Sequence, residues 1–181
     1  MAHIHLDPLY QTISNNGTKE YIEKFGPIYS REHTWLGNGY YFWEGAIELA
    51  QWWGRVHYLN DYIVCEATAD FEKEDMFDLF GSTSDLKVFR DIANELKDKF
   101  RFQELTVSAV LTEMRKLPSF NFSVIRATSN HIIDSNVIKF VEDDRHVLYM
   151  LPAVQICFSN RKYINNYHVI YFPQDEQGPY V

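Results

Sequence analysis

The residues best suited to chemistry form a block of glycine and aromatic residues at positions 35–43, Trp-Leu-Gly-Asn-Gly-Tyr-Tyr-Phe-Trp. Gly37 and Gly39 permit a tight turn and a close approach of the backbone to a ligand. The aromatic row behind them offers flat faces on which a ring can stack. The same pattern is also typical of a turn that leads into a core strand, and both interpretations stay open from the residues alone.

Aromatic side chains make up 16 % of the chain, which is a high share, and this block concentrates them. If the block is a strand, side chains alternate between its two faces. Tyr41 and Trp43 then share one face, while Tyr40 and Phe42 share the other. We therefore expect one face to pack in the core and the face with Tyr41 to line a pocket.

His3 and His5 form a second group of interest near the start of the chain. On a strand, residues two apart lie on the same face, so the two imidazoles could bind a metal or hold a sugar by hydrogen bonds. A metal site needs at least one more ligand, and no other residue stands at a diagnostic spacing. A pair of solvent-facing histidines explains the pattern equally simply.

Gln155 is a polar residue inside an otherwise apolar stretch, residues 154–158. If its amide faces inward it needs hydrogen-bond partners, because an unpaired buried amide is costly. If it faces outward it lies on a half-exposed strand. Cys65 and Cys157 sit in apolar stretches where a thiol is usually inert, so neither is a candidate nucleophile.

These residues must be positioned by a mixture of strands and helices. Residues 2–6 alternate as a short strand that Asp7-Pro8 ends, and a short helix and then a second helix capped by Thr18 are expected before Gly26-Pro27. The remaining pattern predicts helices at 46–57, 85–100 and 106–117, and strands at 40–43, 61–69, 121–127, 147–151, 154–158 and 167–172. Strands and helices do not alternate regularly, which favours the α+β fold class.

The whole-chain properties narrow the function further. The length of 181 residues is about that of one domain, so we expect residues 1–181 to form a single domain. A net charge of −8 argues against a general nucleic-acid coat but leaves room for a nucleic-acid substrate at one small site. Two cysteines suit a reducing compartment, and we expect neither a signal peptide nor a membrane-spanning run. We expect a cytoplasmic protein that does not bind membranes.

Residues 36–42 and the following Ala-Gln-Trp-Trp at 50–53 resemble the mono-ADP-ribosyltransferase superfamily. The branch they resemble is the diphtheria-toxin and poly(ADP-ribose)-polymerase one, described by a His–Tyr–Glu triad. The specific part of the resemblance covers residues 34–53, and a looser match in order and spacing spans most of the chain. The resemblance implies an α+β fold with split antiparallel sheets flanked by helices.

The resemblance also implies a reaction and a set of site residues. The reaction is cleavage of the glycosidic bond of NAD⁺, used as a co-substrate, with transfer of ADP-ribose to a protein or nucleic-acid acceptor. His5 would hydrogen-bond the adenosine-side ribose, Tyr41 would stack on the nicotinamide ring, and Gln155 would stand where the family has Glu. The implied catalytic residues are His5, Tyr41 and Gln155, and the implied cofactor-binding residues are His3, Gly37, Gly39, Tyr40, Phe42 and Trp52.

Gln155 is where the chain departs from the family pattern. A neutral amide supplies no full negative charge opposite a developing cation. Transfer is then slow, relies on another carboxylate such as Glu142, Glu66 or Glu44, or is absent. Three functions therefore stay open: an NAD⁺-dependent ADP-ribosyltransferase, a non-catalytic module that binds NAD⁺ or ADP-ribose, and a metal-dependent hydrolase that uses His3 and His5.

Overall fold

Strands and helices alternate irregularly along the part of the chain that the computed structural model describes, residues 2–32, 34–99, 105–128, 137–139, 147–149 and 152–173. The strands in these ranges are β1 (His3–Ser14), β2 (Tyr40–Glu44), β3 (Tyr62–Glu72), β4 (Met76–Asp78), β5 (Val124–Thr128), β6 (Val137–Lys139), β7 (Val147–Tyr149), β8 (Val154–Phe158) and β9 (Ile164–Tyr171). The helices are α1 (Lys19–Phe25), α2 (Ile47–His57), α3 (Thr83–Lys99) and α4 (Val107–Met114). The expected α+β class is confirmed.

One mixed sheet organises these elements. Its seven strands lie in the order β4-β5-β8-β2-β1-β3-β9. Neighbouring strands run antiparallel except β4 and β5, which run parallel. β6 and β7 pair with each other in a separate two-stranded sheet. Within the described ranges no helix is both long and apolar enough to cross a membrane.

The start of the chain differs from the sequence prediction. The predicted short strand does not end at Asp7-Pro8, and the helix expected after it is wrong, because β1 continues to Ser14 and pairs with β3 along its whole length. A register shift between Leu6 and Leu9 accommodates the proline, which has no N–H to donate. The predicted second helix is confirmed as α1, with the Thr18 side chain accepting a hydrogen bond from the Tyr21 N–H.

Apolar side chains pack on both faces of the sheet. On one face α3 and α4 cover a cluster around Phe77, Leu111 and Met114. A second cluster contains Leu9 and Phe158 together with buried apolar residues of neighbouring strands. The helix α2 packs over β1, β2 and β3 through a third cluster. The strands that carry the candidate site are therefore held from both sides.

Candidate functional site

A cavity opens where β1 and β2 separate. The two strands pair at Leu9 with Glu44 and at Tyr10 with Trp43. Beyond these pairs β1 stays with β3 as far as Ser14, and β2 stays with β8 back to Tyr40. The gap between the diverging strands holds a cavity of about 250 Å³, which the loop before β2 and the end of α2 complete.

Tyr41 and Trp43 both line this cavity, as strand alternation predicts for residues of one face. Tyr40 and Phe42 instead belong to a core cluster shared with Leu9. Phe42 contributes to the cavity wall but is only 1 % exposed. Trp43 is likewise only 3 % exposed and packs in the core cluster beneath α2. Tyr41 is therefore the aromatic residue of β2 that lines the cavity and stays partly exposed.

The Tyr41 hydroxyl holds the turn that precedes its own strand. It accepts a hydrogen bond from the Leu36 N–H at 2.8 Å and donates one to the Gly37 carbonyl at 2.7 Å. Burial raises the pKa of this phenol, so it stays neutral. Its polar atom is thus occupied within the protein, and what Tyr41 offers to a ligand is the face of its ring.

Gln155 of β8 is the cross-strand partner of Trp43 in β2, and it lines the cavity. It is 9 % exposed, and its Oε1 accepts a hydrogen bond from the Trp35 Nε1–H at 2.5 Å. Of the two orientations that the sequence left open, the structure shows the inward one. The amide therefore orients the Trp35 ring at the cavity wall, and Tyr41 and Gln155 line the same cavity.

Gln11 is a second buried amide at this cavity, and it was not predicted from the sequence. Its Oε1 accepts hydrogen bonds from the Ile28 N–H at 2.8 Å and the Tyr167 hydroxyl at 3.0 Å. Its Nε2 donates to the carbonyls of Ile28 at 2.9 Å and Tyr41 at 3.3 Å. Gln11 thus ties the loop before β2 to both diverging strands. The sequence signal that could have identified Gln11 is its position as a polar residue between the apolar Leu9 and Ile13 on one strand face.

His3 and His5 lie at the far, exposed end of β1 and do not line the cavity. His5 Nδ1 lies 2.8 Å and His3 Nε2 3.3 Å from the Asp70 carboxylate. The hydrogen bonds of His5, and then of His3, lower the pKa of Asp70. Among the described residues no group of three or more His, Cys, Asp and Glu side chains is placed to hold a metal ion.

Gly37, Gly39 and Trp52 are the remaining residues that the resemblance implies as cofactor-binding. A Cβ on Gly39 would lie 2.5 Å from the Cys157 Sγ and 2.7 Å from the Phe158 carbonyl oxygen, so this glycine allows β8 to approach closely. Gly37 has φ +91°, a conformation that suits glycine. Trp52 does not line the cavity, but its ring lies 6.2 Å from that of Trp53, which does.

The end of α2 supplies aromatic residues that the sequence analysis did not assign to the site. Trp53, His57 and Tyr58 all line the cavity. The Trp53 and His57 rings are stacked, with centroids 4.6 Å apart and an angle of 15° between their planes. Their spacing of four residues on a helix was the signal, because it places both rings on one face.

The carboxylate at the cavity is Glu32, the only acidic residue among its described lining residues. It is exposed, in the loop before β2. Of the acidic residues considered from the sequence, Glu44 pairs instead with Arg126, at 2.6 and 2.9 Å. Glu66 does not line the cavity and lies 3.8 Å from His168, and Glu142 lies outside the described residues.

Comparison of the chain with protein-family models, with curated proteins and with solved structures finds no match. The chemistry of the cavity must therefore be argued from its own residues.

Proposed function

We propose that this cavity binds the nicotinamide end of NAD⁺ and that the chain transfers ADP-ribose to a protein or nucleic-acid acceptor. The observation that carries the proposal is the meeting of Tyr41 and Gln155 at an aromatic cavity between the diverging strands β1 and β2. These are two of the three residues that the resemblance implies as catalytic. The third, His5, is not at the cavity, so the proposal does not use it.

The size and lining of the cavity suit a flat cationic ring. Its volume of about 250 Å³ lies below the roughly 300–1,000 Å³ typical of pockets that enclose whole drug-sized ligands. It therefore suits one ring and part of its sugar, with the rest of the dinucleotide outside. Tyr41 and Trp53 line the cavity and are only partly buried, and their rings attract a cationic nicotinamide through the ring quadrupole.

Transfer breaks the bond between the ribose C1′ and the nicotinamide nitrogen, and the electron pair leaves with nicotinamide. The positive charge that develops on the ribose needs a negative partner. Gln155 offers only an amide oxygen that already accepts a bond from Trp35. Glu32 is the described residue of the lining that carries a full negative charge, so we assign it this role. The acceptor nucleophile then bonds to C1′, and His57 can take its proton.

A second candidate function is binding of NAD⁺ or ADP-ribose without transfer. The observation that favours it is that both strand amides at the cavity, Gln11 and Gln155, are neutral and hydrogen-bonded within the protein. Such an arrangement fixes the shape of the cavity and contributes no charge to a reaction. The two functions share the pocket and differ only in chemistry.

One set of variants separates these functions. NAD⁺ binding is measured by quenching of tryptophan fluorescence, and cleavage by the release of nicotinamide. A transferase should release nicotinamide, and Glu32→Gln should reduce the release about 100-fold while leaving binding unchanged. The matched control is Glu74→Gln, which removes a carboxylate from an exposed position outside the cavity and should have no effect.

The opposite change is Gln155→Glu, which keeps the shape of the side chain and adds the missing charge. If the wild type binds NAD⁺ without releasing nicotinamide and Gln155→Glu is also silent, the chain is a binding module. Absence of NAD⁺ binding in the wild type would overturn both functions. Gln51→Glu, on α2 and outside the cavity lining, controls for the added charge.

A further inference from the structure

A second cavity borders the segment formed by residues 34–38. Its volume is about 350 Å³. Thr34 lines both cavities, whereas Trp35 lines the first and Gly37 and Asn38 line the second. The outer wall comes from α4 and the residue after it, Arg115. The second cavity is therefore a neighbour of the candidate site but has its own lining.

Every lining residue of this second cavity except Gly37 has a polar side chain. Two of the hydroxyls are already used within the protein, because Thr34 donates to the Asn38 Oδ1 and Thr112 to the Ser108 carbonyl. Arg115, Asn38 and Ser108 are joined there by Thr34, Thr112, Tyr29 and Gly37. None of these described lining residues carries a carboxylate, although the chain as a whole has a net charge of −8. A cavity with a guanidinium and no acidic neighbour in its described lining attracts an anion.

Arg115 is held in place before any ligand arrives. Its Nη2 donates to the Leu36 carbonyl at 2.7 Å. Its guanidinium also packs directly over Gly37, where an added Cβ would lie 2.4 Å from Nη1. Among the described residues its Nε and Nη1 have no hydrogen-bond acceptor, so these donors are available to a ligand. An immobilised guanidinium loses less freedom on binding than a flexible one.

Asn38 and Ser108 add donors from two further directions. The Asn38 Oδ1 is occupied, because it accepts a hydrogen bond from the Thr34 hydroxyl at 3.2 Å. This bond leaves the two N–H groups of the Asn38 amide free of any described partner. The Ser108 hydroxyl likewise makes no hydrogen bond to the described residues. Donors on several sides of one cavity fit a tetrahedral oxyanion better than a planar carboxylate, which a guanidinium satisfies alone.

We infer that the second cavity binds a phosphate group, with Arg115 supplying the charge and Asn38 and Ser108 the further hydrogen bonds. The phosphate can belong to NAD⁺ itself or to a phosphorylated acceptor. Both sources present the same oxyanion to the same donors. The inference does not require that the first cavity binds nicotinamide, so the two proposals fail independently.

To test this inference, the intact protein is titrated with inorganic phosphate and the heat of binding is measured by calorimetry. A titration with sodium chloride at equal ionic strength is the reference. Wild type should bind phosphate with a saturable signal. Asn38→Asp keeps the side-chain shape and the acceptor for Thr34 but places a negative charge in the cavity. It should weaken phosphate binding about tenfold or more. The control Asn94→Asp makes the same change on an exposed position of α3 and should bind like wild type.

Ser108→Ala gives a second, milder variant that should weaken binding without adding charge. Saturable phosphate binding that Asn38→Asp weakens and Asn94→Asp leaves unchanged supports the inference. Absence of saturable binding in wild type, or equal binding by both aspartate variants, overturns it. Adding NAD⁺ identifies the source: displacement of phosphate assigns the site to the dinucleotide, and simultaneous binding assigns it to a second ligand. Nicotinamide alone should leave the phosphate titration unchanged.

Discussion

At the scale of single residues, Tyr41 contributes two separate things to the candidate site, a ring face and a hydroxyl. The ring lines the cavity, whereas the hydroxyl bridges the Leu36 N–H and the Gly37 carbonyl. A single substitution can separate these roles, because phenylalanine keeps the ring and removes only the oxygen.

We therefore predict that Tyr41→Phe lowers stability and leaves ring stacking intact. Two backbone groups in a half-buried turn lose their partner, which should cost about 1–3 kcal/mol. The free energy of unfolding is measured by chemical denaturation, and ligand binding by fluorescence quenching. Tyr21→Phe is the control, since Tyr21 is 56 % exposed and outside the cavity. An unchanged free energy of unfolding in Tyr41→Phe would contradict the bridging role.

The candidate site also shows what can be predicted residue by residue. The glycine–aromatic block indicated that Tyr41 faces a pocket, because strand alternation is a local rule. The orientation of Gln155 stayed open from the sequence. His5 was proposed because the resemblance implies a histidine on the first strand, yet the residues of β1 that line the cavity are those from Gln11 to Ser14. That difference depends on where β1 parts from β2, which is set by pairing between distant segments. Glu32 and the end of α2 reach the cavity by the same long-range packing.

At the scale of elements, the placement of α2 depends on one glycine. Gly54 lies in the middle of a helix, where glycine is normally unfavourable, and it is buried against Tyr62 of β3. A Cβ at this position would lie 2.3 Å from two atoms of the Tyr62 ring. Gly54 therefore allows α2, which carries Trp53 and His57, to lie close to the sheet.

Gly54→Ala should accordingly destabilise the protein, although alanine is the better helix former. The gain in helix propensity is about 1 kcal/mol, and overpacking of a core typically costs about 1–3 kcal/mol. We expect a net loss, measured as the change in the free energy of unfolding. A double-mutant cycle with Tyr62→Leu checks the cause. Gly54→Ala should become neutral or stabilising once the ring is absent, and an equal loss in both backgrounds would disprove the contact argument.

Elements differed in how well the sequence predicted them. Thr18 marked the start of α1 because a side-chain cap is a local signal. The prediction at Pro8 was wrong, since a proline that usually ends a strand is accommodated here at a register shift. The split antiparallel sheets that the resemblance implies also stay a prediction. What the structure describes is one seven-stranded order in which β1 and β2 share only a short ladder.

At the scale of the whole molecule, the sheet places both cavities beside the same segment, residues 34–38. The fold class was predictable because the mixture of periodicities is visible along the chain. The strand order was not, since β8 lies between β2 and β5 and pairs with residues far from it in sequence. The two cavities are neighbours because the loop before β2 lines both of them and Thr34 is common to the two.

The two cysteines report on whether this sheet unfolds as one unit. Cys65 lies in β3 and Cys157 in β8, and they are 0 % and 2 % exposed. Burial raises the pKa of Cys65 to about 11 and that of Cys157 to about 12. Near neutral pH the reactive thiolate is therefore almost absent at both positions in the folded protein.

We predict that neither thiol reacts with iodoacetamide near neutral pH in the native protein and that both react in concentrated guanidinium chloride. At intermediate denaturant, labelling of each cysteine is followed by mass spectrometry of its peptide. If the sheet opens cooperatively, the two thiols are protected by the same free energy. Cys157 borders the turn at Gly37, with Sγ 3.7 Å from its carbonyl oxygen. Selective labelling of Cys157 under native conditions would instead show that β2 and β8 open locally beside the candidate site.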